Sequence, residues 1–433
     1  MKTYEKYKDS GVEWIGEIPE HWECKMIKRL SPIKRGASPR PIDNPIYFDN
    51  NGEYSWVRIA DVSASERYLE YTEQTLSELG ASLSVKRNPG DFFLSIAGTV
   101  GKPIITKIKC CIHDGFVYFP NLKINPEYLY YIFTTGMPYK GLGKWGTQLN
   151  LNTDTVGDIY IPVPLDNEIE SQINFLDRKT AEIDRIIANK QKLIALYEEE
   201  KQAIINQAVS KGLDPNVKLK DSGVEWLGEI PEHWAVKKIG YCATIVRGGS
   251  PRPSGDPRYF CGDFMPWITV KEVTNAVGKF IESTDEYLTE EGSKLSRIIY
   301  PESLLLSNSG ATLGVPKISK IKGCINDGSV AFTSFYDCLL RDYLYHFFVS
   351  HTSVYREEMK GNGQPNLNTE IIKATSIAVP PLNEQLQIIA YIEKECTRLD
   401  AIIEKFNKQI DLLQEYRTTL ISEVVTGKVR VTE

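Results

Sequence analysis

Residues 8–22 read KDSGVEWIGEIPEHW, and residues 220–234 read KDSGVEWLGEIPEHW. Fourteen of the fifteen positions agree, at an offset of 212. The register continues downstream, where Arg35-Gly-Ala-Ser-Pro-Arg-Pro41 answers Arg247-Gly-Gly-Ser-Pro-Arg-Pro253. Farther on the likeness thins: Ser55-Trp56-Val57 faces Pro266-Trp267-Ile268, and Ile112-His-Asp-Gly115 faces Ile325-Asn-Asp-Gly328. At Gln148-Leu-Asn-Leu-Asn152 and Gln364-Pro-Asn-Leu-Asn368 the offset has drifted to 216. A period of about 215 residues is a duplicated module and not a solenoid, whose repeats run about 20–50 residues. The borders of the copies agree while their middles diverge, the pattern of one scaffold carrying two different binding surfaces.

Each copy opens on a segment whose Gly16, Pro19 and Trp22, or Gly228, Pro231 and Trp234, predict a turn anchored by a buried indole rather than a regular element. About 140 residues of mixed character follow. Short β-like runs at 54–59, 91–96, 116–119, 266–270, 304–306 and 330–333 are separated by Gly, Pro, Asn and Ser clusters. Short helical pieces are expected at 126–134 and 339–350. Each middle reads as an α+β domain.

Prolines at Ile161-Pro-Val-Pro-Leu165 and Val379-Pro-Pro-Leu382 then enforce an extended approach to a helix. Beyond them Ile173, Leu176, Thr180, Ile183, Ile187, Lys190, Ile194, Tyr197, Lys201, Ile204 and Ala208 alternate spacings of three and four. The series Ile389, Ile392, Cys396, Leu399, Ile403, Phe406, Ile410, Leu413, Arg417, Leu420 and Val424 repeats them at an offset of 216. Such a and d positions without internal Gly or Pro predict a coiled-coil seam. A stripe of about 40 residues spans roughly 60 Å, more than one domain of this size covers, so the two helices are expected to pack on each other. A pseudo-two-fold relation between the copies makes them antiparallel. Lys190, Lys201 and Arg417 interrupt the seam and are read as register markers.

The fold expected is therefore α+β: two similar α+β domains separated by a long antiparallel two-helix coiled coil, with a pseudo-two-fold internal repeat. The boundaries expected are a first domain at 1–165, a central helix at 166–211, a second domain at 212–381 and a C-terminal helix at 382–433.

The 433 residues are 42% hydrophobic and 25% charged, with a formal charge of −6, which excludes a disordered or supercharged chain. The acidity lies in the scaffold, because residues 24–165 carry +3 and residues 236–381 carry +1. No run of about 18 apolar residues occurs and the start lacks a signal-peptide core, so a soluble cytoplasmic protein without a membrane partner is expected. The eight cysteines form no CxxC pair and read as reduced packing atoms. Phosphate-binding loop, HExxH, GxSxG and dinucleotide-binding motifs are missing. None of the five histidines has a metal-ligand neighbour, so neither metal nor cofactor is expected. Asn44-Pro-Ile-Tyr47 lies one residue from the NPPY motif of amino-methyltransferases, but it has no counterpart in the second copy and is read as a turn.

The middles do supply polar and basic side chains in Gly- and Pro-rich loops. Arg35, Ser38 and Arg40 are matched by Arg247, Ser250 and Arg252. Thr99 and Lys102 parallel Thr312 and Lys317, while Lys144, Gln148 and Asn150 parallel Lys360, Gln364 and Asn366. Arg can chelate guanine O6 and N7 or hold phosphate, and Gln or Asn can read adenine N6 and N7. These sixteen residues are the candidate DNA contacts.

With the duplicated SGVEW(I/L)GEIPEHW, the Pro-Leu steps at 164–165 and 381–382, and the helices ending in Ala208-Val-Ser-Lys-Gly212 and Val424-Val-Thr-Gly427, the chain resembles the specificity subunit of type I restriction-modification enzymes. The resemblance covers essentially the whole chain. It implies two target-recognition domains, each reading one half of a bipartite site in double-stranded DNA, and an antiparallel coiled coil that sets the spacer. It implies docking of two methyltransferase subunits and recruitment of restriction subunits that translocate DNA with ATP, with no catalytic site in the chain itself. The family's base-contacting residues do not carry over, because the middles vary. A coiled-coil interaction adaptor without a DNA role is the alternative reading, and a fused methyltransferase or nuclease would need the cofactor loop that is missing.

Overall fold

The repeated opening folds the same way twice, and it is more regular than a turn. In the computed structural model, which describes residues 2–142, 151–308, 312–358 and 367–431, strand Tyr7–Asp9 pairs antiparallel with Glu17–Pro19, and Leu219–Asp221 pairs with Glu229–Pro231. Gly11 and Gly16 turn the intervening loop with φ of 71° and 67°, values that tolerate no β-carbon cheaply. The indoles of Trp22 and Trp234 are buried, as the sequence suggests.

The chain divides into two compact units, residues 1–190 with 407–433 and residues 191–406. The first contains a five-stranded sheet in the order Lys34–Arg35, Phe116–Tyr118, Phe92–Ser95, Pro103–Thr106, Tyr68–Leu69. It also contains a four-stranded sheet in the order Gln74–Leu76, Tyr54–Val57, Cys110–Ile112, Val85–Arg87. The second unit repeats both orders, with Ala243–Arg247, Ser329–Phe335, Leu304–Ser307, Pro316–Ser319 and Phe280–Ile281 in one sheet and Tyr287–Leu288, Phe260–Ile268, Gly323–Ile325 and Arg297–Ile299 in the other.

The central strand of each larger sheet is apolar throughout because both its faces are covered. Phe92 and Leu94 point into a core with the packing helix and the long helices, while Phe93 points between the sheets toward Val57, Ile104 and Ile112. Leu304 and Leu306 against Leu305 repeat that alternation in the second unit. Period-2 side-chain alternation turns a plain hydrophobic run into two separate cores.

Helix Pro126–Thr134 starts at Asn125, whose side chain accepts from the Glu127 N–H, with Pro126 in the first turn. Its residues Tyr128 to Phe133 are all buried. The Tyr128 hydroxyl donates to the carbonyls of Pro162 and Val425, joining the helix to the strand before one long helix and to the end of the other. Tyr343 on helix Arg341–Glu358 does the same with Ala378 and Val209.

The long helices run over Asp166–Lys211 and Leu382–Val425. From 187 to 204 the seam positions named above are the sheltered ones and the residues between them are exposed, so the 3.5-residue repeat is what packs. Their antiparallel course is read from side chains in each unit: Arg417 with Asp184 at 2.9 Å and Lys190 with Gln409 at 2.5 Å in the first, Lys201 with Asp400 at 2.5 Å in the second. All three seam cations thus meet a polar partner on the opposite helix. No helix among the described residues is long and apolar enough to cross a membrane.

Candidate nucleic-acid interface

The loop at 35–41 leaves the edge of the larger sheet and is pinned by its backbone. The Gly36 N–H donates to the Phe116 carbonyl at 2.9 Å and the Ala37 N–H to Ile112 at 3.1 Å. A β-carbon on Gly36 would overlap the His113 carbonyl, so only glycine lets the strands approach. The second unit uses the same construction: Gly248 donates to Ser329, Gly249 to Ile325, and a β-carbon on Gly248 would overlap the Asn326 carbonyl. A serine closes each loop, Ser84 on the Ala37 carbonyl at 2.7 Å and Ser296 on Gly249 at 2.6 Å.

Asp114 organises the side chains. Ser38 donates to its Oδ1 at 3.0 Å, Arg40 to its Oδ2 at 3.1 Å, and the Arg35 Nε–H to its backbone carbonyl. Asp327 holds Ser250 at 2.5 Å and Arg252 at 3.1 Å in the same bidentate way. Partial burial alone would raise the Asp114 carboxyl, but the Ser38 hydroxyl and Arg40 outweigh it and hold it below the usual carboxylate range. The Ser250 hydroxyl and nearby Arg252 and Arg247 do so for Asp327. Both acids therefore stay ionised, and the side chains of Arg40 and Arg252 remain 73% and 71% exposed. Each clasp presents an oriented guanidinium outward, with donors left for an external acceptor.

The other candidates divide. Thr99 shares a hydrogen bond with Ser63, and the Lys102 ammonium donates to the carbonyls of Ser63 at 3.0 Å and Ser65 at 2.5 Å. Lys317 donates to Ala276 at 2.7 Å and to Gly278. Burial pushes both ammonium groups below their ordinary range. These two lysines tie a sheet strand to the end of the helix before it. Thr312 offers its carbonyl to the buried Ser307 hydroxyl. Lys144, Gln148, Asn150, Lys360, Gln364 and Asn366 lie outside the described residues.

Sequence reasoning passed over the two acids, although the repeated Asp-Gly pairs at 114–115 and 327–328 carried the signal. It also passed over the neighbouring surface of the first unit, an 850 Å³ cleft lined by Trp56, Arg58, Gln74 and His113 beside Ser38 and Arg40. Among the described residues no group of three or more His, Cys, Asp or Glu side chains is placed to hold a metal ion. His21 and His233 instead face Glu168 and Glu384 at 3.0 and 2.8 Å, beside Trp22 and Trp234, whose indole N–H groups donate to the same two carboxylates.

Comparison with known proteins agrees with this duplicated architecture. The family described as type I restriction modification DNA specificity domain matches twice, over residues 19–196 and 231–412. The specificity subunit of the type I restriction enzyme MjaIX of Methanocaldococcus jannaschii is 26% identical, across 97% of this chain and 96% of that protein. A chain solved in work on complex assembly and conformational transition of the type I R-M system has a TM-score of 0.73 at 17% identity, covering 95% of this chain and 99% of its own. The HsdS subunit of Thermoanaerobacter tengcongensis has a TM-score of 0.52 at 16% identity, covering 95% and 98%.

Proposed function

The chain belongs to the type I restriction modification DNA specificity family, and from that premise we propose how its residues read DNA. It is a non-catalytic DNA-recognition subunit that works in a complex with other restriction-modification subunits. Two readers are assigned, residues 1–165 and 212–381, each engaging one half of a bipartite duplex site. The loops carrying Arg35, Ser38 and Arg40 and their counterparts Arg247, Ser250 and Arg252 are assigned to the DNA surface. Thr99 and Thr312 are assigned to the same surface, and the Lys-Gln-Asn sets at 144–150 and 360–366 complete the proposed contacts. Lys102 and Lys317 are assigned to the fold, since backbone carbonyls already hold their ammonium groups.

The observation that carries this reading is the clasp built twice, an outward arginine held by a serine-bonded aspartate on the edge of equivalent sheets. Arg held in a plane by a carboxylate is preorganised for phosphate or a guanine edge. The long helices, which run from one unit into the other, are assigned the spacing between half-sites. Two methyltransferase subunits and the restriction translocase are the proposed partners, and the cytoplasm the proposed compartment.

Footprinting of the chain assembled with its methyltransferase subunit tests the reading. Two protected segments separated by an unprotected spacer are expected, with protection lost steeply between 50 and 200 mM salt as about six to ten phosphate contacts would require. One contiguous footprint, or salt-insensitive binding, would overturn it.

A further inference from the structure

The two clasps are chemically alike, so they cannot make the two readers differ. A difference has to come from residues at equivalent places whose hydrogen-bonding character diverges. Strand register and the sequence repeat identify three such places, which in the first unit lie beside the clasp.

In the first unit Trp56 stands opposite Gln74 in the antiparallel pair, and two residues past Trp56 comes Arg58, at the start of helix Ile59–Ala64. In the second unit the Trp267 N–H donates to the Glu286 carbonyl at 2.8 Å, and two residues past Trp267 comes Thr269, at the start of helix Val270–Asn275. The third place precedes the clasp aspartate and is His113 in one unit and Asn326 in the other. Trp56 and Trp267 are buried in equivalent small clusters with Leu76 and Leu288, so the frame under these positions is common to both units.

Their chemistry differs at each place. Arg58 only donates, whereas the Thr269 hydroxyl, which gives its proton to Glu272 at 2.5 Å and accepts the Lys271 N–H in the helix cap, has only a lone pair left to accept with; Gln74 does both, whereas Glu286 only accepts. His113 is held neutral by burial, and its Nδ1 accepts the Gly115 N–H at 2.8 Å, which leaves Nε2–H as a donor. Asn326 has a buried Oδ1 without a hydrogen-bond partner. In the first unit all three positions line the 850 Å³ cleft, where Asp43 and Asp49 also stand and disfavour phosphate. A polar, partly acidic cleft beside an outward arginine suits base edges, with the backbone left to the clasp.

We propose that Arg58, Gln74 and His113 select the bases of one half-site and Thr269, Glu286 and Asn326 those of the other, while the clasp arginines hold the phosphate backbone alike in both. The inference rests on the reading of one half-site per unit. The donors Arg58 and His113 match the acceptor-rich edge of guanine, and Glu286 matches the exocyclic amino group of cytosine or adenine.

The test is selection from a randomised duplex library by the complete complex with its methyltransferase subunit, for the wild type, for Gln74→Glu combined with Arg58→Thr, and for Glu286→Gln. The first variant is expected to change base preference at least about fivefold within one half-site only, and the second within the other only. Because Arg58 also bonds Asp61 and Glu73, Gln74→Glu alone serves as the conservative version on an exposed strand edge. Thermal midpoints equal to wild type certify folding. Unchanged preferences in the folded variants, or equal changes in both half-sites, would overturn the inference. A wild-type complex that selects no sequence would overturn the underlying reading instead.

Discussion

At the residue scale, His346 shows what burial does to a titrating group. Neither of its ring nitrogens has a hydrogen-bond partner, and desolvation, aided by Lys279 nearby, pushes its pKa down to about 3. The unfolded chain takes up a proton near pH 6.5 that the folded chain refuses until about pH 3. More protons bound to the unfolded state means that stability falls on acidification across that window. His346→Phe, which keeps a ring in the core, is expected to remove about 2 kcal/mol of the loss between pH 6.5 and 5, read from thermal midpoints across that range. An unchanged pH slope would place the sensitivity elsewhere. The repeated Trp-Glu-His contacts at Glu168 and Glu384 belong to the same scale, since one carboxylate on each long helix secures one copy of the opening segment. The spacing of Trp22 and Trp234 in the sequence announced a buried indole; its carboxylate partner, 146 residues away for Trp22 and 150 for Trp234, did not show in any local pattern.

At the element scale, the long helices gain their stability from the seam and from ties to the sheets. Arg67 from the first unit's sheet region bonds both Glu127 on its packing helix and Asp177 on the long helix, each at 2.5 Å. Lys279 bonds Asp342 and, at 2.7 Å, Glu393 in the corresponding places. Asp177 and Glu393 are 216 apart, so the repeat extends to contacts that no sequence motif displays. Leu399 is fully buried in the seam. Leu399→Ala is expected to cost about 2–5 kcal/mol, through lost transfer free energy and the cavity left behind, visible as a lower unfolding midpoint by circular dichroism. A cost under about 1 kcal/mol would mean that the seam yields at that position. The seam was legible because a heptad pattern is local. The central strands at Phe92–Ser95 and Leu304–Ser307 were legible as strands, but which residue enters which core depends on the sheet order.

At the scale of the whole molecule, charge governs what the chain can do unaided. A formal charge of −6 with readers near neutrality gives little long-range attraction to DNA. The isolated chain is therefore expected to bind a duplex carrying its site at least tenfold more weakly than the assembled restriction-modification complex, by fluorescence anisotropy at 150 mM salt, with a shallower salt dependence. Equal affinity would show that the chain carries its own full phosphate-binding surface. Duplication, fold class, the paired long helices and the family were all determined by the sequence, because repeats, heptads and glycine-proline loops are recorded at short range. The tertiary structure alone decided which side chains meet. It joined Arg40 to Asp114 across 74 residues and Arg252 to Asp327 across 75, turned Lys102 and Lys317 inward, and placed Arg58, Gln74 and His113 around one cleft. The physical reason is that those meetings depend on strand order and on strand register, in which a slip of one residue sends every side chain to the opposite face.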